Sequence, residues 1–358
     1  MMKKSALSSM VALLTMATVA TAQADSHQSE AKWTDNITIS GAVEVDAVSS
    51  SDYADVDTSD LVVSTVELAI DGTVNDWVSA NVTLLYEEDD TPLDVDSASF
   101  TIANPDKSPF SLTVGSVAVP FGAYSSNLLS DPLTLSLGET VETAAILSLA
   151  NDNFSASVYA FNGSSSTGDE AIEQYGLSLG YTIESGDLSL ELGAGWINAI
   201  EDSDTIQDAI PTAVTAMNDH ITGAAYHATL GFKGFTIIGE YVAAMDDFET
   251  KALTFNGNGA RPSAWNAEVG YSFEIGERGA TIAASYQNSD EALGLGLAKQ
   301  TFSAGFAVDV FENTTAAFEW KVDSDYDTTD NAAVDSGVAT AGTGENQNQV
   351  TLRLAVGF

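Results

Sequence analysis

The sequence predicts an all-β protein, a transmembrane antiparallel up-and-down β-barrel of about sixteen strands. Three observations predict it. Segment after segment alternates apolar and polar residues with period two. The joins between these segments alternate between long, mostly acidic stretches and short turns. The chain ends on an apolar strand whose last residue is Phe358.

The alternation places Val78, Ala80, Val82, Leu84 and Tyr86 on one face, opposite Ser79, Asn81, Thr83 and Glu87. Tyr175, Leu177, Leu179, Tyr181 and Ile183 repeat it, as do Leu188, Leu190, Leu192, Ala194 and Trp196, and Trp265, Ala267, Val269, Tyr271 and Phe273. The opposite faces are mostly Gly, Ser, Thr and Ala, too poor in charge for the water-facing side of a soluble sandwich and suited to a crowded or wet interior. Aromatics cluster near the ends of the apolar faces, at Trp33, Tyr86, Trp196, Phe235, Tyr241, Trp265, Phe273 and Trp320, where membrane-interface girdles belong. The apolar faces are expected to look outward, to lipid.

Long joins are read at 49–60, 88–96, 120–143, 198–219, 246–261 and 323–347, and short ones at 71–76, 104–109, 184–187, 233–234, 274–279 and 309–313. Long loops outside the cell, short turns in the periplasm and an even strand count are the pattern of outer-membrane barrels. The last strand, Gln349 to Phe358, is expected to close against a first strand running from Trp33 to Val48. A helical turn or two is expected within Thr205 to Met217, limited by Pro211.

Residues 1–24 read as a Sec-type signal peptide: Lys3 and Lys4, an apolar run from Val11 to Val19, and a cleavage site at Ala22-Gln23-Ala24. Residues 25–32 form a polar periplasmic lead-in, and residues 33–358 the barrel. A membrane-spanning helix needs about 20 predominantly apolar residues, and the sequence after Asp25 offers none. With no cysteine, neither disulfides nor a thiolate metal site contribute. Of 11 basic residues, 9 remain after Lys3 and Lys4 are removed, against 52 acidic ones, a net charge of −43. Nucleic acid is excluded as a partner because phosphate binding requires a basic patch. Expected partners are outer-membrane lipid and lipopolysaccharide, a small-molecule solute, and the barrel-assembly machinery.

In the last strand Val350, Leu352, Leu354, Val356 and Phe358 alternate with Thr351, Arg353, Ala355 and Gly357. This resembles the carboxy-terminal strand by which bacterial outer-membrane proteins are recognised for assembly, with Phe358 as the signal residue. A narrower resemblance lies in VPFGAYSSNLLSDPLTLSLGETVE, residues 119–142. It is similar to the hallmark segment of the LbtU-type siderophore porins, a V-P-F-G stretch followed by S-D-P-L-T-L-x-L-G-E. Val119, Pro120, Phe121 and Gly122 match the first part, and Ser130 to Leu135 with Leu137, Gly138 and Glu139 match the second. The resemblance implies a barrel that passes a ferric siderophore without a plug domain. Some members of that family carry an amino-terminal coiled-coil segment that finds no match here.

The segment 120–143 is expected to be the third extracellular loop. Its charge is confined to Asp131, Glu139 and Glu142, while Leu128, Leu129, Leu133, Leu135 and Leu137 are poorly suited to water. We expect it to fold into the barrel and narrow the pore, with Pro120, Phe121, Gly122, Asp131, Pro132, Glu139 and Glu142 at the constriction. The alternative is that the leucines extend a strand or cover a neighbouring loop. By strand phase Glu44, Asp46, Glu67, Glu87, Glu191, Glu240, Glu268 and Glu319 point inward, with Lys299, Lys321 and Arg353 as counter-charges. An acidic excess in a channel favours cations. Singly, such groups brace the wall, Glu319 or Glu268 pairing with Lys321 or Arg353.

Asp323, Asp325, Asp327 and Asp330 have a spacing like a calcium loop, but lack the sharp-turn Gly and the closing Glu. No metal or cofactor is expected. His27, His220 and His227 show no nucleophile–base spacing, so no catalytic residue is assigned. The first functional expectation is a siderophore-type porin; a general porin preferring small cationic solutes is the alternative, ahead of an adhesive barrel or an outer-membrane hydrolase.

Overall fold

The computed structural model of the protein describes residues 36–358 apart from 89–90, 166–171, 212–216, 218 and 336. The expected signal peptide, the lead-in, His27 and Trp33 lie outside the described residues. The chain forms β1 (Ile37–Ser51), β2 (Asp57–Asn75), β3 (Val78–Tyr86), β4 (Asp94–Ala103), β5 (Phe110–Ala118), α1 (Leu133–Gly138), β6 (Val141–Ala150) and β7 (Phe154–Asn162). It continues through β8 (Gln174–Ser185), β9 (Leu188–Ile197), α2 (Asp204–Ala209), β10 (Gly223–Phe232), β11 (Phe235–Ala244), β12 (Leu253–Phe255) and β13 (Asn258–Gly259). It ends with β14 (Ser263–Ile275), β15 (Arg278–Asp290), β16 (Gln300–Phe311), β17 (Thr314–Ser324), β18 (Asn331–Val334), β19 (Val338–Ala341) and β20 (Asn346–Gly357).

Sixteen of these strands, β1 to β11, β14 to β17 and β20, close into an antiparallel barrel. Closure runs through β1 and β20, with Val45 opposite Leu354 and Asp46 opposite Arg353. Because the ladder has no open end, its backbone donors and acceptors are met from strand to strand, which is the condition for crossing lipid without a helix. Gly41 and Phe358 exchange backbone hydrogen bonds of 3.0 Å in both directions. A Cβ at Gly41 would stand 2.8 Å from Phe358 Cζ, so the terminal ring rests on the bare backbone of the first strand.

Period two survives in the exposure. Val82, Tyr175, Leu177, Leu179, Ile237, Val269 and Leu352 are exposed on the outer face, while Glu44, Glu240, Glu268 and Glu319 on the opposite phase are buried. Outer aromatics pair at both ends. Trp265 meets Tyr286 at 5.6 Å and Phe302 meets Trp320 at 5.8 Å near the long loops, and Phe235 meets Tyr271 at 4.5 Å near the short turns. The turn Lys233-Gly234 has positive φ at both residues, 50° and 86°, the geometry whose twist suits a two-residue hairpin.

Several joins add to or differ from the sequence reading. The stretch 49–60 is not a long loop, since Ser49 to Ser51 pair with Asp57 to Ser59, and β2 runs on past the end of its pairing with β3 at Val66 and Tyr86. Further long joins, not named in the sequence reading, lie at 163–173 and 291–299; the Gly/Ser-rich run of the first has loop composition, whereas the Leu/Gly run of the second does not mark a polar loop. The join 245–262 and the join 325–345 together build a second, four-stranded sheet in the order β13-β12-β18-β19. Its pairing of Leu253 with Val334 ties two loops distant in sequence, and Tyr326 is wholly buried beneath it.

The main apolar core lies at the long-loop end, inside the ring of strands. Phe121, Leu133 and Leu137 join Ile200, Ile206, Ile210, Val242, Phe248, Leu253 and Leu295 there. These residues come from several loops at once, so burying them holds the loops together over the mouth.

Candidate functional site

The segment between β5 and β6 spans 119–140, and its course is set by the wall it lies on. Val119 N–H still donates to Thr140 O at 2.9 Å, continuing the β5–β6 ladder by one step. Pro120 then turns the chain, and Phe121 N–H donates back to Val119 O at 2.8 Å. The Phe121 carbonyl passes over Gly195 of β9, where a Cβ would overlap it. Only a glycine on that strand admits the backbone so closely.

From there the segment follows the inner wall in strand order. Glu240 of β11 accepts from Ala123 N–H at 2.7 Å, Tyr124 N–H at 3.1 Å and Thr134 Oγ1 at 2.8 Å. Glu268 of β14 accepts from Ser126 Oγ at 2.7 Å, Asn127 N–H at 2.7 Å and Asn127 Nδ2 at 2.8 Å. Leu128 packs over Gly305 of β16. Glu319 of β17 accepts from Leu129 N–H at 2.6 Å, Ser130 N–H at 3.2 Å and the Ser130 hydroxyl. Each carboxylate has three donors from the loop. Hydrogen bonds to a charged group contribute about 1.5–3 kcal/mol apiece, so each of these anchors is strong.

The chain then turns back as α1. Its first N–H, at Leu133, donates to Gln287 Oε1 of β15 at 2.7 Å, so the wall supplies the helix cap that Pro132 cannot. All six residues of α1 are buried. Tyr124, with φ of 54°, is held in a left-handed conformation with its ring between Gly122 and Gly138. A non-glycine residue in that region is strained and persists where its surroundings fix it.

Several expected pore-lining groups have other roles. Glu240, Glu268 and Glu319 are engaged by backbone and side-chain donors of the loop, while Lys321 and Arg353 pair with other acids. Arg353 binds Asp46 through Nε and Nη2, both at 2.8 Å, and its Nη1 stands 2.6 Å from Glu44. Asp131 of the loop is close enough to act on the Arg353 charge. Lys321 pairs with Asp323 at 3.3 Å, and Lys299 pairs with Asp290 at the mouth at 2.6 Å. Glu67 of β2 neighbours Asp96 of β4 and Glu44. Glu142 lies in β6, not in the loop, and accepts from Gln207 Nε2 at 3.0 Å. Glu87 falls just past β3, where Thr91 donates to it at 2.7 Å, so it braces a loop. Pro120, Phe121, Gly122, Asp131, Pro132 and Glu139 all lie in the 119–140 segment.

A second loop, 198–222, packs on the first. Asp204 N–H donates to Glu139 O at 3.0 Å, and Val141 N–H donates to Asp204 Oδ1 at 3.2 Å. Burial raises the Glu139 carboxyl to about 8, with Asp204, Asp131 and Asp96 adding to it. Burial likewise raises Asp204 to about 7 and Asp202 to about 6, against the hydrogen bonds each accepts. Asp202 receives Ser165 N–H at 2.7 Å and Ser165 Oγ at 2.5 Å, joining this loop to the one at 163–173. His220 Nδ1 lies 2.7 Å from the wholly buried Glu201, and that hydrogen bond raises the imidazole pKa.

The sequence reading missed Gln287, Asp96, Asp204 and the Glu201–His220 pair. Gln287 could be found from its inward strand phase. The run Glu201-Asp202-Ser203-Asp204 reads as a solvated loop, and only its burial distinguishes it. Ser165 Oγ lies 3.5 Å from the same His220 nitrogen that faces Glu201, which is not the arrangement of a nucleophile–base–acid triad. His227 faces Glu191 across 3.7 Å on the inner wall. The expected calcium-like aspartates diverge: Asp323 receives Thr301, Asp325 receives Thr343, Asp327 receives Thr329 and Asp330 receives Asn256. Among the described residues no group of three or more acidic or histidine side chains is placed to hold a metal ion.

No family model matches the chain. Its sequence relatives are UPF0422 proteins. One from Legionella pneumophila strain Paris is 30% identical over 353 residues, covering 90% of this chain and 66% of the relative. One from Coxiella burnetii is 28% identical over 300 residues, covering 81% of this chain and 64% of the relative. This chain thus spans slightly less than two thirds of the length of either. The fold is that of outer-membrane porins. OprB of Pseudomonas putida superposes with a TM-score of 0.61 at 9% identity, covering 91% of this chain and 95% of its own. The anion-selective porin of Comamonas acidovorans gives 0.58 at 14% identity, with coverage of 90% and 99%. OmpT, an outer membrane protein of Vibrio cholerae, gives 0.56 at 13%, with coverage of 90% and 97%.

Proposed function

We propose that the protein is a non-enzymatic outer-membrane porin for small solutes, constricted by the segment 119–140 and selective for cations. The observation that carries this reading is the placement of that segment, bonded through nine loop donors to Glu240, Glu268 and Glu319 on the inner wall. A barrel of sixteen strands is too wide for wall side chains to fill, and a loop lying along one wall narrows the remaining space. The groups left beside that space are acidic. Glu67, Asp96 and Asp131 lie close enough to act on one another or on a shared neighbour, Glu139, and Arg353 is matched by Asp46 and Glu44. Rings of one charge select ions by sign. Export by the signal peptide and insertion through the Phe358 strand complete the reading.

The experiment is single-channel recording of the purified chain in planar bilayers across a salt gradient. The expected reversal potential favours the cation, and removing residues 128–137 raises conductance severalfold. Absence of conductance in folded protein sinks the porin reading; unchanged conductance in a folded deletion variant sinks the constriction.

A ferric siderophore as solute is favoured by one observation, the match of residues 119–142 to the siderophore-porin hallmark. Those residues are largely the ones that anchor the loop: Phe121 and Leu133 to Thr140 are buried. The motif accordingly accounts for the constriction more directly than for contact with a chelate. Block of the current by a ferric chelate, and not by the iron-free chelate, supports this solute; equal currents with and without it remove it.

A further inference from the structure

We infer that the contact between segments 119–140 and 198–222 is a pH-operated latch, closed while Glu139 and Asp204 are protonated and released when they ionise. Its consequence for passage rests on the porin reading above; the latch itself rests on the contact. The two segments are joined by backbone at Asp204 N–H to Glu139 O and by Val141 N–H to the Asp204 side chain. Beneath those bonds Leu133 and Leu137 of one segment share an apolar core with Ile200, Ile206 and Ile210 of the other. The carboxyls thus enter the junction on main chain that is bonded across it, Glu139 buried and Asp204 half-buried there.

The groups around them decide the sign. Glu139 is acted on by Asp204, by Asp131 of its own segment and by Asp96 of β4, and the Tyr124 phenol lies against it and against Glu240 of β11. Asp204 is acted on by Glu142 of β6, Asp208 of α2 and Asp96. Asp202, next along, is acted on by Glu201 and Glu142. These charges are all of one sign. When Glu139 and Asp204 are neutral, the apolar core and the backbone bonds hold the segments together. When both are charged, two desolvated like charges oppose the same contact.

The direction follows from linkage. An acid whose pKa is higher in the contact than outside it favours the contact below that value and opposes it above. Asp202, Asp204 and Glu139 sit at about 6, 7 and 8 respectively. His220, raised by Glu201, gives up its ion pair to that buried acid as pH rises through its own raised value, so it works in the same direction. The latch is held at acidic pH and releases across the neutral range.

Single-channel recording from about pH 5 to about pH 9 tests its effect on passage, comparing the native chain with Glu139→Gln/Asp204→Asn. The open probability of the native chain is expected to rise roughly tenfold across this range, and that of the double variant to stay low and flat. Hydrogen exchange at the Val141 and Asp204 amides, normalised to β14 amides, reads the latch without any current. Protection is expected to fall at high pH in the native chain and to persist in the double variant; Glu139→Gln alone should shift the midpoint. Equal pH steps in native and double-variant exchange, or none in the native chain, overturn the latch. Failure to conduct at any pH, with the exchange step present, overturns the porin reading and leaves the latch standing.

Discussion

Carboxylates hold the 119–140 segment at two places, and they do opposite things there. Along the inner wall Glu240, Glu268 and Glu319 each accept three hydrogen bonds from loop donors. At the junction with 198–222, Glu139 and Asp204 face further acids. Glu139 is as buried as the wall acids, and Asp204 half-buried. What differs is the supply of N–H and O–H groups: the loop backbone delivers them to the wall, whereas the junction is built from two acidic segments. A buried charge with three donors fixes a structure, and one among like charges makes it conditional.

The largest expected effect comes from breaking the wall side of this contrast. The triple variant Glu240→Gln/Glu268→Gln/Glu319→Gln presents amide groups to donors that need acceptors, and hydrogen bonds to charge contribute about 1.5–3 kcal/mol each. The segment should leave the wall while the barrel ladder stays, giving larger and noisier channels in bilayers and early protease cleavage within 119–140. A variant with native conductance and native protease resistance would show that the apolar core alone seats the loop.

A smaller but distinct effect is expected at Arg353, where cation and acids are matched. Arg353→Met leaves Asp46 and Glu44 unpaired at the β1–β20 seam, and breaking a buried pair costs about 3–5 kcal/mol. The variant should unfold at lower denaturant concentration and, where folded, show stronger cation preference by reversal potential. Unchanged selectivity would place the passage away from the seam.

The smallest expected effect sharpens the junction side. His220→Gln retains a donor toward Glu201 but loses the charge, which also faces Glu173 of the other loop at 3.8 Å, so the tie between 163–173 and 198–222 should weaken at acidic pH and change little at alkaline pH. Proteolysis of those loops at the two pH values measures it. Equal loss at both would mean that His220 contributes packing and not charge.

Much of the barrel was legible in the sequence because strand periodicity is local. The alternation in Gln174 to Ile183 or Trp265 to Phe273 needs no distant information, and it also placed Glu240, Glu268 and Glu319 on the inward phase. The apolar alternation of Gln349 to Phe358 pointed to closure against the first strand, while the register of that closure came from the structure. The leucines of 128–137 signalled burial because a water-exposed loop does not carry them.

What those inward acids bind was a different matter. Their partners lie 106 to 190 residues away in sequence, from Thr134 with Glu240 to Leu129 with Glu319, and no local pattern encodes such a pairing. The sheet joining β12 to β18, and the burial of Glu201, Asp202 and Ser203 in a run that looks solvated, are decided in the same way. The sequence by itself determined the wall, since each strand's two faces are written in its own residues. Only the tertiary structure decided how the loops lie within it, because that depends on which donors closure of the barrel brings to each buried charge.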